Sequence, residues 1–347
     1  MYFMNTRKSL AVTIIMALAF TVLFAQNDLQ SLEDQINSLV VKQKELVQKM
    51  ESASQSGDTA GYNAANEEYK QIKQQVDELK AKAAELQAAG DQEAKAKTAY
   101  NRGLQAIKMK QYEEAIVKFD ESLHLDPTFA KSYLGKGIAL KALRQYNESE
   151  KAYQKAIEID PTMEKAYFNL GKLYSDMESY DKAVDTYEKA LAQDSTLYKA
   201  YYEIGYIYSK RKDYPKAVEA FEKAIAINPN YDIAYNALGV AYIENGKFDQ
   251  AVDVLQRSLL VKPSNPDACY RLAEAYNNLQ QPDNALRAAQ DCVGQKSRYA
   301  EAYIEMGKAY EAKGDKTNAI ASFQKGAEMN KRWSNWVNWK VDQLNKN

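Results

Sequence analysis

A period of 34 residues constrains this chain more than any other feature. It runs seven times without an insertion, from Ala96 to Trp333. The eighth position of every period holds a small residue: Gly103, Gly137, Gly171, Gly205, Gly239, Ala273 and Gly307. Small residues recur again at the twentieth and twenty-seventh positions, and in the first five repeats a bulky side chain follows four residues after the twentieth. This pattern predicts a repeated pair of helices whose small residues allow close packing.

Turn residues fall in phase with the period. Gly246 and Gly314 mark the turn between the paired helices, and Pro215 and Pro282 stand where a second helix should begin. The thirty-second position, where a proline ends the second helix, holds Pro127, Pro161, Pro229 and Pro263. With the small residues, these positions resemble the tetratricopeptide repeat family over about two thirds of the chain. Ser195, Ser297 and Lys331 depart from the proline pattern.

The first 25 residues are typical of a secretory signal peptide. Arg7 and Lys8 precede an apolar run from Leu10 to Phe24, and Ala25 is followed by the polar Gln26. We expect cleavage after Ala25, a secreted or periplasmic location, and no membrane span in the mature protein. An uncleaved anchor is the alternative, although the run is shorter than the ~20 apolar residues of a spanning helix.

Residues 26–91 have a different periodicity, with apolar residues three and four apart on both sides of a polar turn at 56–61. Two such stretches predict an antiparallel coiled-coil hairpin, and Gly90 is expected to end its second arm. A hairpin has only one buried stripe, so we expect it to self-associate or bind a partner.

The last segment, residues 334–347, continues an apolar helical spacing. Its apolar positions, counted from the end of the last repeat, are Trp333, Trp336, Val337, Val341 and Leu344. Such a helix would cover the exposed face of the final repeat. The expected fold is therefore all-α: a coiled-coil hairpin (26–91), a superhelical solenoid of seven tetratricopeptide repeats (96–333) and a capping helix (334–347).

Nothing in the sequence indicates an enzyme. His124 is the only histidine, and no carboxylate pair, nucleophile motif or glycine-rich phosphate loop accompanies it. We therefore expect no catalytic residue, no metal and no cofactor. The net charge is −1, or about −3 without residues 1–25, so no general attraction to nucleic acid is expected.

Cys269 and Cys292 are the two cysteines. An exported chain would meet an oxidising compartment, so a disulfide has to be weighed. If the eighth position packs on the twentieth, the two cysteines lie almost a helical turn out of register, on helices about 8 to 10 Å apart. We therefore expect two buried free thiols, with the disulfide as the alternative.

The resemblance also implies a binding surface, because the second, fifth, ninth and twelfth positions of the first helix line the concave face in this family. The residues at these positions that we expect to bind a peptide are Tyr100, Lys131, Leu134, Lys165, Phe168, Lys172, Lys199, Tyr202, Tyr206 and Tyr270. Apart from Leu134 they are aromatic or basic, whereas the same face becomes acidic towards the C-terminus, at Asp267, Glu274, Glu301 and Glu311. A merely solvated face is the alternative.

Together these features predict an exported, non-catalytic scaffold or adaptor that binds a protein or peptide segment in the concave groove. The layout of signal peptide, coiled coil and repeats is similar to that of bacterial periplasmic proteins of the cell envelope. Two alternatives stay open: a structural oligomer assembled through the coiled coil, and the recognition subunit of an exported enzyme complex.

Overall fold

A computed structural model describes the backbone of residues 3–346 and the side chains of residues 28–346. Over this range the chain forms sixteen α-helices and one short 3-10 helix, and no strand. The expected all-α fold is therefore confirmed. The predicted signal peptide, residues 1–25, lies outside the residues whose side chains are described. The chain divides into two compact units, residues 1–162 and residues 163–347.

The first unit begins with a helical hairpin. Helix α1 (Phe3–Ser56) and helix α2 (Thr59–Lys108) are joined at Gly57, whose φ of +75° suits glycine. Asp58 caps α2 by accepting a hydrogen bond from the Gly61 N–H at 3.0 Å. The arms are antiparallel, with Lys42 paired to Glu68 at 3.0 Å. Between them lies a small apolar core formed by Leu46, Ala65, Ile72 and Val76.

The expectation that Gly90 ends the second arm is wrong. Helix α2 passes through Gly90 and becomes the first helix of the first repeat, ending only at Lys108. The flanking residues are mostly alanine, glutamate, glutamine and lysine, which are strong helix formers, and one exposed glycine costs a helix only about 1 kcal/mol. Hairpin and repeat therefore share one continuous helix, and the domain limits 26–91 and 96–333 stay predictions.

The first unit is completed by the rest of the first two repeats: α3 (Tyr112–Leu125), α4 (Ala130–Ala142) and α5 (Tyr146–Ile159). The ring of Phe119 is fully buried at the centre of the first repeat. Added Cβ atoms on Gly103 and Gly135 would lie 2.6 Å and 2.4 Å from this ring. The small residues thus make room for an aromatic ring between helices.

The second unit holds repeats three to seven as consecutive helix pairs. Its helices are α6 (Glu164–Asp176), α7 (Tyr180–Gln193), α8 (Tyr198–Lys210), α9 (Tyr214–Ile227), α10 (Asp232–Glu244), α11 (Phe248–Val261), α12 (Pro266–Asn278), α13 (Pro282–Gln295), α14 (Ala300–Ala312), α15 (Lys316–Met329) and α16 (Ser334–Lys346). Helix α16 covers α15 with the buried Val337 and Leu344 and with Trp336, whose ring lies 5.3 Å from that of Phe323. This is the capping contact that the spacing predicts.

The turns within repeats all use one left-handed residue, spaced by 34 positions. The residues with positive φ there are Lys110, Arg144, Glu178, Lys212, Gly246, Gln280 and Gly314. Only two are glycines, so the other five turns accept a conformation that costs a residue with a Cβ roughly 1 kcal/mol. The predicted prolines lie two residues beyond the ends of their helices. At Ser195, which stands in place of proline, Asp194 accepts hydrogen bonds from Thr196, as Asp126 and Asp160 do from Thr128 and Thr162 in turns that contain proline.

Candidate functional site

The candidate site is the face formed by the second, fifth and ninth positions of the first helices. Within repeats three and four, the orientation of each first helix is set by the close approach of its eighth-position glycine to the second helix. Cβ atoms on Gly171 and Gly205 would each lie 2.7 Å from the nearest ring atom of Tyr187 or Phe221, and both rings are buried. This close contact fixes the rotation of each first helix, so its second, fifth and ninth positions lie together on one flank, with the fifth nearest the second helix.

Fifth-position side chains lie only partly on the surface. The ring of Phe168 packs 5.6 Å from that of Tyr187, and the ring of Tyr202 packs 5.7 Å from that of Phe221 and 5.4 Å from that of Tyr231. Burial raises the pKa of the Tyr202 hydroxyl above its usual value. These residues present an edge to a ligand rather than a whole ring.

Second-position lysines are accessible. Lys165 and Lys199 are exposed, and among the side chains described neither has an ion-pair partner. The Lys199 ammonium lies 5.9 Å from the centre of the Tyr198 ring. Lys172 lies between repeats three and four, with its ammonium 3.9 Å from a Glu203 carboxylate oxygen. Two positive charges on this face are therefore not neutralised by neighbouring carboxylates.

Tyr206, at the ninth position, is the most accessible aromatic residue of this face, with 39% of its surface exposed. The ammonium of Lys210 lies 5.3 Å from its ring centre. We call the set Lys165, Phe168, Lys172, Lys199, Tyr202 and Tyr206 the lysine-bearing face.

Repeat five extends the surface with residues that the sequence reasoning passed over. Ile233 occupies the second position, where earlier repeats have lysine, and 49% of it is exposed. At the fifth position, Asn236 replaces the aromatic residue and its Oδ1 accepts a hydrogen bond from Ser258 Oγ at 2.7 Å. Its amide nitrogen donates to Asn265 Oδ1 at 3.3 Å. The position of Ile233 within the repeat indicates that it lies on this face. It is not among the predicted binding residues because those, apart from Leu134, are charged or aromatic.

Repeats six and seven carry the predicted acidic residues, and these are paired within the chain. Glu274 accepts a hydrogen bond from Arg271 at 2.7 Å, and Glu301 accepts one from Arg332 at 2.7 Å. Glu311 forms an ion pair with Lys340 of α16 at 2.6 Å. Asp267 accepts a hydrogen bond from the Tyr299 hydroxyl.

Glu305, at the sixth position of the same helix as Glu301, is also paired within the chain, and only 3% of it is exposed. Its carboxylate accepts hydrogen bonds from Asn277 Nδ2 at 2.8 Å and from Lys308 Nζ at 2.7 Å.

Tyr270, a predicted binding residue, lies in the same region with the Arg271 guanidinium 4.6 Å from its ring centre. Burial raises the pKa of Tyr270 to about 12. Tyr270 is thus held by its own neighbours.

The predicted site residues of the first unit are described separately. Tyr100 is half-buried, with its ring 5.9 Å from that of Phe119 and 5.2 Å from that of Phe129. Leu134 is half-buried, and Lys131 is exposed without an ion-pair partner among the described side chains.

Both cysteines are free and buried, as expected. The Cys292 thiol donates to the Pro266 carbonyl at 3.2 Å, and Gln295 Nε2 donates to Cys269 Sγ at 3.3 Å. Burial raises the pKa of Cys292 to about 12, which disfavours the reactive thiolate.

Among the residues described, no group of histidine, cysteine and acidic side chains could hold a metal ion. Within the same part of the chain, no helix has the length and apolarity to span a membrane.

Solved structures resemble this one in fold. The C-terminal part of a tetratricopeptide repeat protein from Cytophaga hutchinsonii matches with a TM-score of 0.58 and 20% identity, over 67% of this chain and 95% of that one. A tetratricopeptide repeat protein from Parabacteroides merdae matches with a TM-score of 0.50 and 17% identity, over 73% of this chain and 100% of that one. YrrB, described as having an unusual peptide-binding site, matches with a TM-score of 0.47 and 25% identity, over 52% and 93% of the respective chains.

Sequence comparisons give the family. Among curated proteins, none matches this chain. A family model described as the C-terminal ARM domain of tetratricopeptide repeat protein 21 matches residues 75–268. A second, described as tetratricopeptide repeat, matches residues 266–298 and 300–332. Since the first match spans more than half of the chain and the second extends it through the last two repeats, the chain belongs to the tetratricopeptide repeat family.

Proposed function

We propose that this protein is an exported scaffold or adaptor that binds an acidic protein segment on the lysine-bearing face. Family membership supports the general part of the proposal, since tetratricopeptide repeat proteins are in general protein-binding scaffolds without catalysis. The observation that carries the specific part is the pair of exposed lysines, Lys165 and Lys199, which lack intramolecular ion-pair partners among the described side chains. Unpaired charge of one sign selects ligands of the other sign.

An apolar or aromatic side chain of the ligand would lie beside Tyr206. This tyrosine is exposed, and Ile233 of the next repeat adds a second accessible apolar side chain. Aromatic residues of this kind supply much of the binding energy at protein interfaces. Tyr202 would contribute one edge of its ring, because the rest packs on Phe221 and Tyr231. The ligand is therefore a segment in which acidic residues alternate with aromatic or large aliphatic ones.

A fluorescent 12-residue peptide of alternating glutamate and phenylalanine would serve as the probe, with a lysine–phenylalanine peptide as its control. Binding to the full chain, followed by fluorescence anisotropy, should favour the acidic peptide and weaken with salt. The double variant Lys165→Glu and Lys199→Glu should slow association and reduce the salt dependence. Lys182→Glu is the matched control, because this exposed lysine lies on the second helix of repeat three.

Tyr206→Ala tests the anchor. We expect about tenfold weaker binding of the acidic peptide, mainly through faster dissociation, which corresponds to about 1.4 kcal/mol. Equal affinities of the wild type and the double lysine variant would exclude this face as the site. If Tyr206→Ala kept full affinity while the lysine variant lost it, the ligand would be recognised by charge alone.

Export and a role in the cell envelope belong to the same proposal. Export is supported by residues 1–25, in which basic residues are followed by an apolar run and then by a small residue. The envelope role is supported by the layout of signal peptide, coiled coil and repeats. Expression of the full chain in a secreting host, followed by N-terminal sequencing, should give a mature protein that begins at Gln26. An N-terminus at Met1 in the membrane fraction would favour the retained anchor.

Two other functions are compatible with the fold: a structural oligomer and the recognition subunit of an exported enzyme complex. If the protein is such a recognition subunit, the wild type should capture a catalytic chain from envelope extract, and the double lysine variant should not.

A further inference from the structure

One flank of the hairpin is less covered than the other. On the first flank, Lys42 of α1 pairs with Glu68 of α2 across the arms. On the second flank, α1 presents Val40, which is half-buried, and Val47, which is 37% exposed. The neighbouring positions of α2 on this side include Asn66 and Lys73. One flank is thus closed by an ion pair, while the other leaves valine side chains next to solvent.

The hairpin has little core of its own. Over residues 28–86 the buried apolar side chains are Leu32, Leu46, Ala65, Ile72 and Val76. Small units with so few buried side chains usually gain stability from oligomerisation or another staple. An additional helix against the second flank would bury Val47 and complete the cover of Val40.

The sequence of this flank is self-complementary. Val40, Lys44, Val47 and Glu51 are spaced by four, three and four residues, so they share one side of α1. Lys44 lies one turn before Val47 and Glu51 lies one turn after it. Among the described side chains, neither Lys44 nor Glu51 has an ion-pair partner. If two copies of α1 pack antiparallel with Val47 at the twofold axis, each Lys44 faces the Glu51 of the other copy.

We propose that a second copy of this chain docks on the Val40–Val47 flank of α1, forming an antiparallel pair held by Val47 contacts and two Lys44–Glu51 ion pairs. A symmetric dimer of this kind uses the same patch on both copies. The proposal does not depend on the peptide-binding face, because it uses only residues of α1.

Analytical ultracentrifugation of the full chain over a range of concentrations tests it. The wild type should reach twice the mass of a single chain. Val47→Gln should weaken dimerisation at least tenfold, whereas Val41→Gln should leave it unchanged. Val41 is the matched control because it is 56% exposed on the same helix but lies on another side. Glutamine is a good helix former, so both variants should keep their helicity by circular dichroism.

Charge exchange gives a second test on two exposed residues. Lys44→Glu and Glu51→Lys should each weaken the dimer, because each places like charges opposite one another, and the double variant should restore it. A wild type that stays monomeric, equal effects of Val47→Gln and Val41→Gln, or a double variant that fails to recover would each overturn the proposal.

Discussion

Repeats three and four differ from repeats six and seven of the same unit in what their charged side chains contact. On the lysine-bearing face, Lys165 and Lys199 extend into solvent without ion pairs among the described residues. In repeats six and seven, Glu274, Glu301 and Glu305 all have partners within the chain. Counting charges along the sequence would give these two regions equal weight as binding surfaces.

The difference teaches that available charge, not total charge, selects a ligand. A carboxylate that already accepts hydrogen bonds from arginine or lysine attracts a basic ligand weakly, because the two opposite charges cancel at a distance. A solvent-exposed lysine without an ion-pair partner keeps its full attraction for an acidic ligand. Four predictions, ordered by expected effect, would break or sharpen this comparison.

The largest effect should come from Trp336→Asp. The ring of Trp336 packs on Phe323, and α16 carries the Lys340 that pairs with Glu311. Replacing the ring by a carboxylate should destabilise the last repeat by about 3 kcal/mol and release Glu311. Hydrogen exchange over residues 300–326 should accelerate relative to repeats three and four. Unchanged protection there would show that α16 does not cap the unit.

Glu305→Ala should come next. The buried carboxylate holds Asn277 and Lys308, so its loss should cost about 2 kcal/mol in the free energy of unfolding, measured in urea. Lys199→Ala, on the lysine-bearing face, should change the free energy of unfolding by less than about 0.5 kcal/mol. Similar losses for the two variants would remove the distinction between paired and available charge.

Tyr187→Phe should stabilise repeat three. The Tyr187 hydroxyl is buried and has no hydrogen-bond partner among the residues described, whereas repeat seven has Phe323 at the equivalent position. Removing the hydroxyl should raise the free energy of unfolding by about 0.5 to 1 kcal/mol, since a buried polar group without a partner is costly. Phe323→Tyr is the reciprocal change and should destabilise. A destabilised Tyr187→Phe variant would mean that the hydroxyl is solvated or bonded in solution.

The smallest effects on the free energy of unfolding should come from replacing the non-glycine residues of the left-handed turns, which are alike in both regions. Glu178 in repeat three and Gln280 in repeat six both have a φ of 56°. Changing either to glycine should stabilise by about 0.5 kcal/mol, and Gly246→Ala should destabilise by about 1 kcal/mol. Thermal denaturation of the three variants measures this. Opposite signs for Glu178→Gly and Gln280→Gly would show that the two regions differ in their backbone as well as in their surface.

Much of the fold can be predicted from the sequence, because the same residue pattern recurs every 34 residues. A small residue recurs at the eighth position of every repeat and a ring at the twenty-fourth of five repeats, and the structure places Gly171 on Tyr187 and Gly205 on Phe221. The end of the hairpin could not be predicted in the same way. Gly90 is a single glycine without a proline or a left-handed turn beside it, and a helix passes through one glycine at small cost.

The candidate site could be predicted only in part. The position of a residue within the 34-residue period identifies which residues share the face of the first helix, but not how far their rings are buried. Tyr202 and Tyr206 are four residues apart and chemically identical, yet Tyr202 packs against two rings while Tyr206 is exposed. The neighbours that cause this difference lie outside α8, with Phe221 on α9 and Tyr231 immediately before α10.

The sequence by itself determined the period, the helix pairs, the turn positions and the capping helix, because each depends on residues within one repeat or next to it. Only the tertiary structure decided which charges pair with residues distant in the sequence. Glu301 pairs with Arg332, 31 residues away, and Glu305 with Asn277, 28 residues away. The first contact joins the two ends of repeat seven and the second joins repeats six and seven, and in both a shift of a few ångströms separates paired groups from solvated ones.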